Sequence, residues 1–446
     1  MPWDTIEDIY VQSMCPDNGA RAFSARIAFG AIYIKEHENL TDERTVEYIT
    51  ENPYMQYFLG LHEYKDTALF DPSMMVHFRK RFPAEKVEEI NKCMFVARKN
   101  KDGDDSGDSD STGNHGASKN PENESLAENN GKLALDATCA PADIRYPSDL
   151  SLLNEARENT EAIIDALWPQ SGRTGHKTRY HRKKARGEYL RIAKQKRPKK
   201  AKTRAAIRNQ LSYIRRNLED IGELLIKMGL DALQESRIKR LMTICEFYRQ
   251  QKGMHETGSH QCEDRIVSLR QPHIRPMVRG KAGKRFEFGQ KIATSVVSGY
   301  TFIERQSFGS FNEGITLIDS VERYRTLHGC YPEVVQADQI YRSRANLAYC
   351  KQRGIRLSGP RLGRPGKDAA RDRKLEYRDR CERNIIEGRN GMAKRRFGLD
   401  LIMAVLPETA MTEAALQVLC MNTRIKLLLR FFFRCRFCRF FSLGFA

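Results

Sequence analysis

The chain has 446 residues, 40% of them hydrophobic, and its 76 Lys and Arg against 57 Asp and Glu give a formal net charge of +19. This composition excludes a wholly disordered chain, and the absence of any run of about 18 apolar residues excludes a membrane channel. The opening residues lack the features of a secretory signal and the 11 cysteines are scattered, which predicts a cytoplasmic protein with reduced thiols and two or three domains.

Residues 1–98 have the pattern of a domain built from short helices. Thr41 or Asp42 is placed to cap a helix that Pro53 ends. The other helices are predicted over 20–36, 70–81 and 84–97. Short helices separated by small turns are typical of a helix-turn-helix DNA-binding domain, but they are equally typical of a plain helical bundle.

Residues 99–132 differ from their surroundings in composition. The run 102–110 consists only of Asp, Ser and Gly, which cannot bury enough surface to offset chain entropy, so the segment is predicted to be a disordered linker. The apolar run 133–140 then predicts a buried strand. It begins a second domain over 133–410, and a C-terminal helix with a Phe- and Arg-rich tail occupies 411–446.

A helical pattern over about 149–252 interrupts the second domain after its first strand. Apolar residues recur there at alternating spacings of 4 and 3 over three heptads. This period predicts a long helix packed against a partner helix. The residues of the heptad are Ile207, Leu211, Ile214, Leu218, Ile221, Leu225 and Met228.

The positive charge is concentrated in the same insertion. Residues 173–208 contain 16 Lys or Arg and a single acid, Glu188, which makes a local charge of +15. Such a surface attracts a polyanion, and the resulting binding to phosphates is strong and salt-dependent. A solvated charge run or a localisation signal is the alternative, but apolar and aromatic residues among the charges favour a folded nucleic-acid surface. The residues predicted to contact DNA here are Lys183, Lys184, Arg186, Arg197, Lys199 and Lys200.

Strands return after the insertion and alternate with helices. Two strands are predicted over 285–292 and 296–303, joined near Gly299. The elements predicted after them are a helix at 314–327, a strand at 333–338, a helix at 343–353, a strand at 355–357 and a helix at 377–397. Helices alternating with strands around a hairpin predict a mixed α/β core.

Two aspartates stand at the ends of apolar strands, where Asp is disfavoured. Asp136 follows Leu133-Ala134-Leu135, and Asp338 follows Val334-Val335-Gln336-Ala337. If the two strands are neighbours, the carboxylates repel each other, and a divalent cation such as Mg²⁺ or Mn²⁺ relieves that repulsion. The alternative is that each Asp caps a strand end or begins a turn.

The last predicted helix carries one acid and two bases on a single stripe. Arg383, Glu387 and Lys394 are separated by 4 and 7 residues, which places them within about 40° of one another around a helix. Gly388 and Gly391 would let another backbone, such as a DNA strand, come close. The alternative is an ordinary exposed face with an Arg–Glu pair at i, i+4.

These residues together resemble bacterial insertion-sequence transposases of the DDE superfamily, specifically the insertion-sequence-five group and its close relatives. The N-terminal segments that carry the resemblance are 40–43, 51–58 and 78–82. Leu135-Asp136-Ala137-Thr138, with Asp143-Ile144-Arg145-Tyr146-Pro147 beyond it, resembles the segment around the first catalytic Asp of the family. Ala337-Asp338-Gln339-Ile340-Tyr341-Arg342 resembles the segment around the second.

The helical stripe matches the part of the family signature that surrounds the catalytic Glu. Arg383, Glu387 and Lys394 have the Arg-x3-Glu-x6-Lys spacing of that signature. Arg380 stands where the family often has a tyrosine, which is a departure from the full pattern. The three acids that would hold metal are all present.

The resemblance implies an α/β, RNase H-like fold with a mixed-sheet catalytic core, a large helical insertion and an all-helical N-terminal domain. Its first and fourth strands would present Asp136 and Asp338, and its late helix would present Glu387. These three carboxylates would hold two Mg²⁺ or Mn²⁺ ions. Arg383 and Lys394 would hold phosphates beside the metals.

The resemblance also implies the reaction and the partners. Water would cut the DNA at the ends of the element, and the freed 3′-OH would attack a phosphodiester of the target. The partners would be double-stranded DNA, both terminal inverted repeats and target, and a second copy of the chain, in the bacterial cytoplasm at the nucleoid. Tyr341 and Asn346 are predicted to help position the DNA. A catalytically inactive DNA-binding relative and a nuclease without strand transfer remain as alternatives.

Two other motifs give weaker evidence of a functional site. His255, His260 and Cys262 lack a second ligand pair at zinc spacing and are predicted to lie in a loop. The loop 359–367 lacks the Gly-Lys-Ser/Thr ending of a phosphate-binding P-loop. It is predicted to be a basic loop that could contact DNA.

Overall fold

The computed structural model describes two compact units. The described residues are 1–15, 21–104, 128–172, 181–278, 286–360 and 369–442, with side chains for all of them except 98–104, 369–372 and 425–442. The first unit is Met1–Pro141 with Gln290–Ala446, and the second is Ala142–Gly289. Within these described ranges no helix is long and apolar enough to cross a membrane.

The helices and strands are numbered in chain order. The helices are α1 (Trp3–Val11), α2 (Ala25–Glu38), α3 (Asp42–Glu51), α4 (Pro53–Phe58), α5 (Met74–Arg81), α6 (Ala84–Asp104), α7 (Asp149–Leu167), α8 (Arg182–Ala193), α9 (Lys200–Met228), α10 (Glu235–Thr257), α11 (Leu317–His328), α12 (Arg344–Gln352), α13 (Ala369–Phe397) and α14 (Pro407–Ser442). The strands are β1 (Lys132–Pro141), β2 (Arg275–Val278), β3 (Phe286–Val297), β4 (Tyr300–Ser307), β5 (Val334–Gln336) and β6 (Arg356–Leu357).

The N-terminal helices begin where the sequence provides caps. The Thr41 side chain accepts a hydrogen bond from the Arg44 N–H at the start of α3, as predicted. Pro53 does more than end α3, because it also begins α4, and the Asn52 side chain accepts from the N–H groups of Tyr54 and Met55. Proline suits the first position of a helix, where no N–H is needed.

The N-terminal helices do not form a unit of their own. Phe29 and Ile32 of α2 belong to the same hydrophobic core as Leu416 and Leu419 of α14 and Ile303 of β4. The predicted boundary at residue 98 therefore does not separate two compact bodies. The helices are amphipathic and bury their apolar faces against α14 and the sheet.

The predicted linker is described only in part. Residues 99–104 continue α6, and residues 105–127 lie outside the described residues.

A buried carboxyl joins α6 to the sheet. Glu88 is buried, and its Oε2 accepts a hydrogen bond from the Ile303 N–H at 3.3 Å. Burial raises the pKa of Glu88 from 4.5 to about 7. Because the folded state holds this proton more tightly than the unfolded state, stability falls as the pH rises from about 4.5 to about 7.

We therefore expect Glu88→Gln to raise the free energy of unfolding at pH 8 by up to about 3 kcal/mol, at about 1.4 kcal/mol per pKa unit. At pH 4 the variant and the parent should unfold alike, because the Glu88 carboxyl is then protonated in both states. Urea unfolding at the two pH values measures the difference. Glu89→Gln, on the exposed side of α6, is the control and should show no such pH-dependent gain.

The first unit contains a mixed sheet with the strand order β4–β3–β1–β5–β6. Strands β3 and β4 are antiparallel, whereas β5 pairs in parallel with both β1 and β6. The predicted turn at Gly299 is confirmed, since Ser298 and Gly299 both have positive φ there. The predicted break between 292 and 296 is wrong: β3 runs through it, and only a register shift at Ala293/Thr294 marks the place.

The second unit is mainly helical and is larger than the predicted 149–252. Its boundaries at 142 and 289 also enclose β2, which pairs antiparallel with the first four residues of β3. The heptad helix is confirmed as α9, whose Leu211 and Ile214 are buried with Leu153 of α7. Farther along, Ile221 is buried with Ile164 of the same partner helix.

Candidate active site

Asp136 lies on β1 and Asp338 follows β5, and these two strands are parallel neighbours, as the resemblance implies. In the pairing of β1 with β5, Ala134 stands opposite Gln336. Two residues farther along each chain, Asp136 and Asp338 come to the same face of the sheet, because side chains alternate with a period of two. Asp338 lies just beyond β5. Asp136 is not at a strand end, since β1 continues to Pro141.

Helix α13 covers this face of the sheet. Its Ile386 is buried against Ala134 of β1 and Val296 of β3. Its Glu382 Oε2 accepts a hydrogen bond from Gln336 Nε2 at 2.6 Å. The residues two positions before each aspartate thus contact α13, which brings Glu387, next to Ile386, over the aspartate pair. The helix begins at Ala369 rather than at 377 and ends at Phe397 as predicted.

Arg383 bridges the carboxylates of two different elements. Its Nη2 lies 3.3 Å from Glu387 Oε1, one turn along α13, and 3.7 Å from Asp338 Oδ1 beyond β5. The predicted stripe therefore faces the aspartates. Lys394 lies on the same helix, about 10 Å beyond Glu387 along its axis.

The electrostatic surroundings of Asp136 reveal an acid that sequence reasoning missed. Burial raises the pKa of Asp136 to about 6, and the negative charges of Glu313 and Asp338 add to the rise, while Arg383 opposes it. The Asp136 carboxyl is therefore mostly ionised at pH 7. Glu313 lies in the 3-10 turn Glu313–Thr316 and is paired with Lys291 of β3 at 2.7 Å. No spacing in the sequence marks Glu313, because its approach depends on how this turn packs.

The carboxylate oxygens of this site are suitable ligands for a hard divalent cation. The side chains that carry them are not close enough together in this structure to bind one. Carboxylate oxygens are the ligands that Mg²⁺ and Mn²⁺ prefer. Within the described ranges, however, no three His, Cys, Asp or Glu side chains stand close enough together to hold a metal ion. Asp338 and Glu387 are 63% and 57% exposed and are free to turn, whereas the cation that now contacts both, Arg383, is 16% exposed.

Tyr341 and Asn346, which were predicted to help position the DNA, are both buried in the fold. Tyr341 is fully buried in the core under the sheet. Asn346 is 4% exposed, and its Nδ2 donates hydrogen bonds to the carbonyl oxygens of Gly314 and Tyr341, both at 2.8 Å. These bonds join the turn that carries Glu313 to the turn that follows Asp338. The burial of both residues follows from the packing of these two turns, which the sequence does not show.

We expect Asn346→Ala to lower the free energy of unfolding by about 2 kcal/mol, because two buried carbonyls lose their donor. Equilibrium urea unfolding measures this loss. The affinity for DNA, measured on folded protein by fluorescence anisotropy, should stay within about twofold of the parent, as expected for a residue that does not touch the DNA. Lys351→Ala, exposed on the same helix, is the matched control and should cost less than about 0.5 kcal/mol. A large loss of DNA affinity in Asn346→Ala would contradict the structural role.

The predicted basic surface is present on the second unit. The six residues predicted to contact DNA are all exposed on α8, at the start of α9 and in the segment between them. We define the basic surface as the exposed Lys and Arg of residues 181–208: Lys183, Lys184, Arg186, Arg191, Lys194, Lys196, Arg197, Lys199, Lys200, Lys202, Arg204 and Arg208. The structure records no carboxylate within salt-bridge distance of these twelve among the residues it describes, whereas Arg182 beside them is paired with Asp165 at 2.7 Å. Residues 173–180 of the predicted basic segment lie outside the described residues.

The other candidate motifs gain no support as sites. His260 Nδ1 lies 3.8 Å from Asp149 Oδ2, and Cys262 Sγ donates to the Glu263 carbonyl. Neither contact is part of a metal-ligating group. Most of the predicted basic loop, 361–367, lies outside the described residues.

Comparisons with known proteins match both ends of the chain. A family model described as a transposase DDE domain matches residues 335–424, which include Asp338 and α13. A second, described as a transposase domain (DUF772), matches residues 1–81. A Rhizobium meliloti protein described as "Uncharacterized protein ORF8 in nfe locus" is 33% identical over 97 residues, which are 22% of this chain and 46% of that protein. The matched region thus spans less than half of that relative. No solved structure matches the chain.

Proposed function

From the two family matches, which together indicate an insertion-sequence DDE transposase, we propose that the chain binds the ends of its element, cleaves DNA there and joins the freed 3′-OH to target DNA. The observation that carries this proposal is that Asp136 lies on β1, Asp338 follows the neighbouring strand β5, and α13, which carries Glu387, packs against both strands. Membership of the insertion-sequence-five group remains part of the proposal.

The topology of the first unit supports an RNase H-like catalytic domain. Leaving aside β2 of the second unit, its strands in chain order are β1, β3, β4, β5 and β6, arranged as β4–β3–β1–β5–β6. Helices α11 and α12 make the crossovers to the parallel strands, and α13 follows the last strand. The first strand then carries Asp136 and the fourth precedes Asp338, which is the placement that the resemblance implies.

The chemistry would require the three carboxylates and the basic side chains beside them, Arg383 and Lys394. Two Mg²⁺ or Mn²⁺ ions held by Asp136, Asp338 and Glu387 would supply a water of lowered pKa and neutralise charge on the attacking and leaving oxygens. Asp136 lies on β1 and Asp338 follows the short strand β5. Their carboxylate oxygens would therefore lie at one edge of the site. Arg383 and Lys394, on the helix above, would bind phosphates and stabilise charge that develops during the displacement.

The charge distribution favours the second unit as the main DNA-binding surface. Residues 142–289 contain 33 Lys and Arg against 17 Asp and Glu, a net charge of +16. Residues 1–98 contain 11 Lys and Arg against 16 Asp and Glu, a net charge of −5. Because attraction to phosphates comes from positive charge, the N-terminal helices are less suitable than the insertion for binding the phosphate backbone of DNA.

We propose that the protein acts as a homodimer on DNA in the bacterial cytoplasm.

A single assay separates the proposal from its two rivals. The protein is incubated with Mg²⁺ or Mn²⁺, a labelled DNA carrying the inverted repeats that flank its own gene, and a supercoiled target plasmid. We expect nicks that leave a 3′-OH at the element end, and joined products in the plasmid. Nicks without joining would indicate a nuclease, and binding without nicks would indicate an inactive DNA-binding relative.

A further inference from the structure

Arg383 has contacts that an ordinary surface ion pair does not have. A pair between Arg383 and Glu387 alone would be the common i, i+4 arrangement on a helix, which contributes little. Here the same nitrogen, Nη2, also lies 3.7 Å from Asp338 Oδ1, which belongs to a different element. The Arg383 side chain is only 16% exposed although both of its partners are more than half exposed. The guanidinium therefore lies inward of the two carboxylates.

The position between the carboxylates is the one where a metal ion would have to bind. Asp338 and Glu387 repel each other unless a cation stands between them, and Arg383 supplies that cation. A divalent ion bound by the same oxygens would meet the guanidinium charge at close range, where like charges repel strongly. The two cations cannot both occupy the space among these carboxylates.

We propose that Arg383 is the built-in counter-ion of the metal-free site, and that a divalent cation binds only by displacing it from Asp338 and Glu387. This inference rests on the proposed function, because it assumes that these carboxylates are metal ligands. The displaced guanidinium then points away from the carboxylates and is available to a DNA phosphate. Metal binding and DNA binding are thereby coupled through one side chain, and in the metal-free protein one positive charge offsets part of the repulsion between Asp338 and Glu387.

The test measures Mn²⁺ binding in the absence of DNA, by the electron paramagnetic resonance signal of free Mn²⁺. Arg383→Gln removes the charge but keeps a long polar side chain. If Arg383 competes with the metal, this variant should bind Mn²⁺ at least about tenfold more tightly than the parent, because the competing positive charge is gone. Arg380→Gln is the matched control: Arg380 is exposed on the same helix, three residues earlier, and contacts no carboxylate among the described residues. It should change the Kd by less than about twofold.

A second measurement separates displacement from simple charge repulsion. In the parent, adding Mn²⁺ should increase the affinity for a short DNA duplex, because Arg383 is released to a phosphate. In Arg383→Gln this increase should be reduced, whereas in Arg380→Gln it should persist. Equal Mn²⁺ affinity in Arg383→Gln and the parent, or weaker affinity in the variant, would overturn the proposal.

Asp136→Asn distinguishes failure of this inference from failure of the proposed function. If the parent binds Mn²⁺ no better than Asp136→Asn, the carboxylates are not a metal site, and the proposed function fails together with the inference. If Asp136→Asn loses Mn²⁺ binding while Arg383→Gln binds like the parent, the metal site stands and only the counter-ion role of Arg383 is wrong. Thermal unfolding of each variant confirms that it is folded before titration.

Discussion

Glu387→Gln is expected to reduce DNA cleavage by about 1,000-fold or more while DNA affinity stays within about twofold, because removing a ligand from a metal site costs several kcal/mol of transition-state stabilisation. The substitution keeps the size of the side chain, replaces one carboxylate oxygen with an NH2 group and removes the negative charge. Glu387 is more than half exposed, and the residue that packs α13 on the sheet is its neighbour Ile386, so the helix should stay in place.

The experiment compares single-turnover cleavage of an element end with binding of the same DNA. Glu333→Gln is the matched control, because Glu333 is exposed in the same unit and lies at the opposite end of β5 from Asp338. It should cleave like the parent. Full cleavage by Glu387→Gln would mean that another acid completes the site, and Glu313, which contributes to the field at Asp136, would be the first to examine.

Neutralising Lys183, Lys184, Lys199 and Lys200 together, each to Gln, should reduce the slope of log Kd against log salt by up to about 3.6, at about 0.9 for each phosphate that is no longer neutralised. All four are exposed, and the structure records no carboxylate partner for them among the described residues. Their charge is therefore available to phosphates. DNA affinity at low salt should fall strongly, and the loss should be similar for any DNA sequence, since binding to phosphates carries no sequence information.

The matched control uses lysines of the same unit that already have partners. Lys239 is paired with Glu235 at 2.6 Å, and Lys252 lies 3.9 Å from Glu256. Changing both to Gln should alter the slope per lysine much less, because a charge with a carboxylate beside it attracts phosphates less. If the quadruple variant keeps the slope of the parent, the basic surface is not in the DNA interface.

Features that depend on local sequence were predicted well. Each of three features follows from residues within a few positions of one another: the cap at Thr41, the heptad helix α9 and the turn at Gly299. The pairing of β1 with β5, which the sequence left as a condition and the family resemblance implied, is also present. The limits of β3 were not predicted, since pairing on both sides extended it through the predicted break.

Features that depend on packing at long range were missed. Tyr341 and Asn346 were predicted to help position the DNA, and the fold buries both. Glu313 carried no sequence signal, yet its turn brings its charge towards Asp136. The N-terminal helices looked like a separate domain, but their apolar faces are covered by α14, which is more than 300 residues away in the chain.

The amino-acid sequence alone indicated the residues that we propose for the chemistry and located the positive charge, because residue type, period and spacing are local properties. It also indicated most helices and strands, for the same reason, although α1 and β2 were not predicted. Only the tertiary structure decided that Arg383 lies between Asp338 and Glu387, and that the N-terminal helices share a core with the sheet. Such contacts join residues far apart in the chain, and they are selected by burial and charge neutralisation in the folded protein, which no local pattern encodes.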